Sequence, residues 1–179
     1  GLSLGDITSG YNLIIKPHMW TYYLDSFGGI SLKGQRKLIF KLIDQFDHIR
    51  LLEPAEYNVT PYYKISDLLL TDASSTIYEM IALSKPVVVN RFYHLKLSHR
   101  IFQKRLYKRR LDKEMNDEVE KFCFLADNVK QLPLAIENAL NQNNKNSALI
   151  EEYQKKMLYK LDGSASMRAR DEILKRINR

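Results

Sequence analysis

The stretch Ser66-Asp67-Leu68-Leu69-Leu70-Thr71-Asp72-Ala73-Ser74-Ser75-Thr76-Ile77-Tyr78-Glu79-Met80, closed by Ser84-Lys85-Pro86-Val87-Val88-Val89, decides the fold. It reads as strand, polar turn, helix, short turn, strand. Both apolar runs are too short for helices and too continuous for strands with one wet face. Such strands belong to a parallel sheet covered on both sides. Where a parallel strand hands over to a helix, unpaired backbone N–H groups and the helix dipole favour an anion such as phosphate. Ser74 and Ser75 add hydroxyls at that helix start, with Thr71 and Asp72 supporting the turn. Glu79 follows one turn deeper, so a phosphate and a neighbouring sugar hydroxyl could be held together. Plain helix capping by the serines and a solvated place for Glu79 are the competing readings. A nucleotide-type ligand is the leading expectation.

Outward from this core, strands and helices alternate. Asn12 to His18 is a short apolar run ended by proline, read as a strand. Gly28 to Lys33 reads as a loop. Gln35 to Phe46 carries apolar residues at helical spacing, and Ile49 to Leu52 forms a second strand. Thr60-Pro61 opens a short helix through Ile65. Leu68–Thr71 and Val87–Asn90 are strands flanking a helix from about Ser74 to Ser84. A long basic helix follows, then a strand at Phe122–Leu125 and a helix capped by Asn128. Two helices, about Ser147–Leu161 and Ser166–Ile177, finish the chain around Asp162-Gly163. The expectation is an α/β fold: a Rossmann-like parallel sheet flanked by helices, with C-terminal helices. Residues 1–179 are read as one nucleotide-donor-binding domain that begins inside its fold.

Composition narrows the function. An apolar fraction of 45% suits a globular protein, and the single Cys123, in an apolar run, excludes a disulfide framework. That thiol reads as buried and inert, and a reducing compartment follows. The net charge of +7 is local. Arg91 to Lys113 holds nine lysines and arginines against the single acid Asp112, an excess larger than that of the whole chain. On a helix, Arg100, Lys104 and Lys108 form one row with Arg105 and Arg109 beside it. That face suits an anionic membrane surface or a polyanionic acceptor, with a plain solvated helix face as the competing reading. Nucleic acid is not expected, because no recognition module accompanies the charge. The four histidines are scattered and no carboxylate pair has a metal spacing, so neither metal nor cofactor is expected. Tyr22-Tyr23 and Tyr62-Tyr63 read as edges of the core.

The run Ile65-Ser66-Asp67-Leu68-Leu69-Leu70-Thr71-Asp72-Ala73-Ser74-Ser75, then Glu79, then Lys85-Pro86, resembles the CDP-glycerol glycerophosphotransferase family of teichoic-acid and capsule polymerases. Ile15-Lys16-Pro17-His18 resembles its strand-ending histidine motif, and Asp162-Gly163-Ser164-Ala165-Ser166-Met167-Arg168 its terminal turn. Ala73 stands where the family has tyrosine, and Met19 where it has proline. The resemblance implies the C-terminal half of a GT-B architecture, in which this domain holds the donor. It assigns His18 a catalytic role at the donor pyrophosphate, Ser74 and Ser75 to phosphate, and Glu79 to ribose or polyol hydroxyls. It also implies a CDP-activated donor, an anionic polymer acceptor, an N-terminal Rossmann-like domain supplying the catalytic base, and a cytoplasmic location peripheral at the inner membrane face. The same architecture serves nucleotide-sugar glycosyltransferases and epimerases. A non-catalytic docking domain is the alternative of a different class.

Overall fold

A computed structural model describes residues 3–27, 30–72, 74–92, 121–141 and 147–177. The basic residues Arg100, Lys104, Arg105, Lys108 and Arg109, expected to contact a membrane or polyanion, lie outside the described residues. The chain divides into two compact units, Gly1–Pro61 and Tyr62–Arg179. Both are α/β, with short parallel strands flanked by helices.

The first unit opens with α1 (Leu4–Ile7), closed by a capping box in which Ser3 and Asp6 satisfy each other's backbone. Strands β1 (Leu13–Ile15) and β4 (Ile49–Leu51) pair in parallel, Ile14 opposite Arg50. Between them come α2 (Met19–Tyr23), the hairpin β2 (Ser26–Phe27) and β3 (Ile30–Ser31), and α3 (Leu32–Gln45). Helix α2 and strand β2 lie between the expected strand Asn12–His18 and the expected loop Gly28–Lys33, where apolar spacing predicts no element, and β3 falls within that loop. Ser31 caps α3 by accepting the Gly34 N–H at 3.1 Å, which starts that helix three residues before the periodicity does. Arg36 of α3 reaches the end of α2, donating to the Thr21 carbonyl at 2.8 Å and pairing with Asp25 at 2.6 Å. A cation on helix-terminal carbonyls satisfies groups that the helix itself leaves open.

The second unit centres on three parallel strands in the order β5 (Leu69–Thr71), β6 (Val87–Asn90), β7 (Phe124–Ala126). Leu70 sits opposite Val88, and Val88 opposite Phe124. Helix α4 (Thr60–Ile65) leads into β5, and α5 (Thr76–Ala82) joins β5 to β6. Beyond β7 come a 3-10 turn (Val129–Gln131), α6 (Leu132–Asn141), α7 (Ser147–Tyr153), a π-helical turn (Gln154–Leu158) and α8 (Ala165–Ile177). Asn128 caps the 3-10 turn by accepting from the Gln131 N–H at 3.2 Å, as its sequence position suggests.

The sheet is covered on both faces. Val87 and Val89 join Ile77, Met80 and Ile81 of α5, Phe122, Cys123, and Ile150 and Tyr153 of α7 in one buried cluster. Val88, completely buried, points the opposite way, and α6 packs against β6 and β7. Tyr153 packs at a tilt against Phe122 with centroids 4.6 Å apart. Burying a side chain such as Met80 on this scale stabilises the unit by about 2–5 kcal/mol relative to alanine.

Candidate functional site

The site builds from the end of β5. Thr71, half-buried, pairs with Val89 as the last residue of the strand, and Asp72 follows, exposed. Helix α5 starts at Thr76, two residues later than expected, because of a local hydrogen bond. The Ser74 hydroxyl oxygen accepts from the Thr76 N–H at 3.4 Å and from the Thr76 hydroxyl at 3.0 Å. Ser74 therefore performs the capping that an isolated serine at a helix start would. The adjoining Ser75 is exposed and in αR backbone, and its side chain makes no cap bond. Of the two serines, Ser75 keeps its hydroxyl uncommitted to the helix, whereas Ser74 would have to share its own.

Glu79 lies exposed in the first turn of α5. Burial and then the Glu79 charge push the Tyr63 phenol up to about 12, because both penalise the phenolate. Tyr63 sits where the sequence reads a core edge. A tyrosine on a short amphipathic helix carries the signature of a core edge, and it does pack against the buried cluster.

Lys85, in the Lys-Pro step before β6, has a structural task. Its Nζ donates to the carbonyls of Tyr63 at 2.9 Å, Lys64 at 2.5 Å and Ser66 at 2.6 Å, closing the C-terminus of α4. Arg91, directly after β6, pairs with Asp127, directly after β7, with nitrogen to oxygen 2.7 Å. Thr71, Arg91 and Asp127 thus mark the carboxyl edge of the three strands, the edge at which open parallel sheets receive ligands. The charge of Arg91 there was visible in the sequence only as part of the basic run.

His18 belongs to the first unit, where it caps α2. Its Nδ1 accepts from the Trp20 N–H at 3.2 Å, which leaves the ring proton on Nε2, and the exposed ring meets Trp20 edge-on at 4.8 Å. The expectation of a histidine just past a strand holds in position, since β1 ends at Ile15. The terminal Asp162–Arg168 motif is a closed turn. Arg168 donates to both carboxylate oxygens of Asp162 at 2.8 Å, and Gly163 supplies the left-handed φ of 72° between Asp162 and Ser164. Arg168, then the Ser164 N–H, hold the Asp162 carboxyl below its ordinary value.

Among the described residues no group of three or more His, Cys, Asp or Glu side chains could hold a metal ion. Nor is any described helix long and apolar enough to cross a membrane. Cys123 is buried, and burial pushes its thiol up to about 12, far from a nucleophile's range. Compared with known proteins, the chain matches no family model, no curated protein and no solved structure.

Proposed function

We propose that the corner between β5 and α5 binds the diphosphate of a CDP-activated polyol, and that the chain serves transfer of glycerol phosphate, or a related polyol phosphate, to a polymer acceptor. One observation carries this reading: at the carboxyl edge of a parallel sheet, an uncommitted hydroxyl (Ser75) precedes an exposed carboxylate (Glu79) by one helical turn. A hydroxyl and backbone donors suit phosphate oxygens, and a carboxylate suits a diol. In the reaction an acceptor hydroxyl oxygen attacks the phosphorus that bears the polyol. A new P–O bond forms, the P–O–P bridge breaks, CMP leaves, and the acceptor's proton passes to a base. Donors fixed in advance around the diphosphate favour the charge that develops on the leaving CMP. By the family resemblance the base comes from a separate N-terminal domain, so the chain alone binds the donor and transfers poorly. The same resemblance brings a cytoplasmic location at the inner membrane face. It also brings His18, whose Nε2 is the nitrogen left over by the α2 cap; His18→Ala tests that assignment separately.

The test is nucleotide-dependent stabilisation. CDP or CDP-glycerol raises the melting temperature of the chain, and Ser75→Ala with Glu79→Gln abolishes the rise. A rise with UDP and none with CDP moves the reading to a nucleotide-sugar enzyme. No rise with either, together with vesicle binding that survives both substitutions, replaces it with a docking domain.

A further inference from the structure

We propose that helix α3 seats the first unit on an anionic lipid surface, with Leu38 entering the hydrocarbon and Lys37 and Lys41 on headgroup phosphates. The proposal rests on α3 alone and not on the donor-site reading. The helix carries four bases, Lys33, Arg36, Lys37 and Lys41, against one acid, Asp44. Its less exposed side chains, Leu32, Arg36, Ile39 and Ile43, recur at helical spacing on one side, from which Arg36 reaches the end of α2. Lys33, Lys37 and Lys41 form a row on another side, each one turn from the next. All three are exposed. Among the described residues none of them forms an ion pair, not even with Asp44 at the end of the row.

An apolar stripe runs along one edge of that row. Leu38 is 69% exposed, and Leu42, one turn on, is half-buried. Together with Ile39, Lys41 and Gln45 they line an open hollow of about 320 Å³. Hydrocarbon walls with an ammonium at the rim match a lipid, whose chain and phosphate are met in that order. The unpaired lysines select an anionic headgroup by charge. Their long stems let the ammonium groups stay at the phosphate level while Leu38 goes deeper. The size of the stripe selects a bilayer over a protein. Two leucines and a shallow hollow fall far short of the roughly 800 Å² per partner of a stable protein interface. A lipid surface needs only shallow apolar insertion joined to charge. Each lysine near such a surface raises partitioning roughly fivefold, so Lys37 and Lys41 together contribute about 25-fold.

The experiment is co-sedimentation of the full chain with phosphatidylcholine vesicles containing about 30% phosphatidylglycerol, and with phosphatidylcholine alone. The expected result is binding to the first and not to the second, weakening as salt rises. Lys37→Gln/Lys41→Gln lowers it about 25-fold, and Leu38→Ala about 3- to 10-fold. Phe40→Ala, also at an exposed position but nearly opposite Leu38 on the helix, leaves it unchanged. Circular dichroism of each variant verifies the fold. Because Cys123 is buried, Leu38→Cys takes a polarity-sensitive thiol label at position 38, whose emission shifts to the blue on the anionic vesicles. No vesicle binding by the parent, or parent-like binding in the lysine pair, overturns the proposal. So does bound protein whose label does not shift, or a Phe40→Ala loss equal to that of Leu38→Ala. A loss in the lysine pair with none in Leu38→Ala, matched by equal affinity for soluble polyphosphate, replaces the lipid with a soluble polyanion. Nucleotide-dependent melting of the same variants is a separate readout, so this proposal and the donor-site reading fail independently.

Discussion

Lys85→Met removes an ammonium and keeps most of its aliphatic stem, so it isolates what the charge does for α4. Three carbonyls, of Tyr63, Lys64 and Ser66, lie 2.5–2.9 Å from Nζ and lose their shared donor. A hydrogen bond to a charged group contributes about 1.5–3 kcal/mol net. Lys85 is only half-buried, so water reaches part of the vacated space and the three losses do not add. An effect of one to two such bonds, about 2–4 kcal/mol, is therefore expected. For a chain of this size that lowers the melting temperature by roughly 5–15 °C. Thermal and urea denaturation followed by far-UV circular dichroism measure it, with the exposed Lys41→Met as the reference for a solvated lysine. A loss below about 0.5 kcal/mol, equal to that reference, would refute the assignment of Lys85 as the cap of α4.

Three further outcomes follow from the same chemistry. Cys123 resists a thiol reagent near pH 8 in the native protein and reacts fully in denaturant, because burial holds its thiol at about 12; rapid native labelling contradicts this. The Tyr63 phenol is raised from 10.0 to about 12, so its contribution to stability is complete below pH 10 and is lost as pH climbs toward 12. Tyr63→Phe accordingly flattens the alkaline limb of the stability–pH curve. The Asp162 carboxyl is lowered by Arg168 and Ser164, so its contribution is present above the ordinary carboxylate value near 3.8 and disappears as pH falls through the folded one. Asp162→Asn lowers the melting temperature at neutral pH, and the difference closes in strong acid.

The sheet was legible because its strands are continuous β-branched and leucine runs bounded by polar turns. Val87–Asn90 is the case in point, expected and found with the same limits. Boundaries set by one hydrogen bond were less legible. Ser74 delays α5 by two residues, and Ser31 advances α3 by three, through cap bonds that apolar spacing does not encode. Helix α2 escaped notice because five residues, three of them aromatic, carry no helical period. The strand-to-helix turn between Thr71 and Glu79 was readable, but the different hydrogen bonding of Ser74 and Ser75 was not. Lys85 was hidden for another reason: the three carbonyls it holds lie 19 to 22 residues away in the chain, and only folding brings them to its ammonium.

The most direct measurement is calorimetric titration of CDP-glycerol into the parent chain and into Ser75→Ala/Glu79→Gln. Saturable binding by the parent, weakened at least about tenfold in the double variant with its fold intact, is the result the account predicts. Equal affinity in the two proteins, or heat indistinguishable from dilution in both, would contradict it.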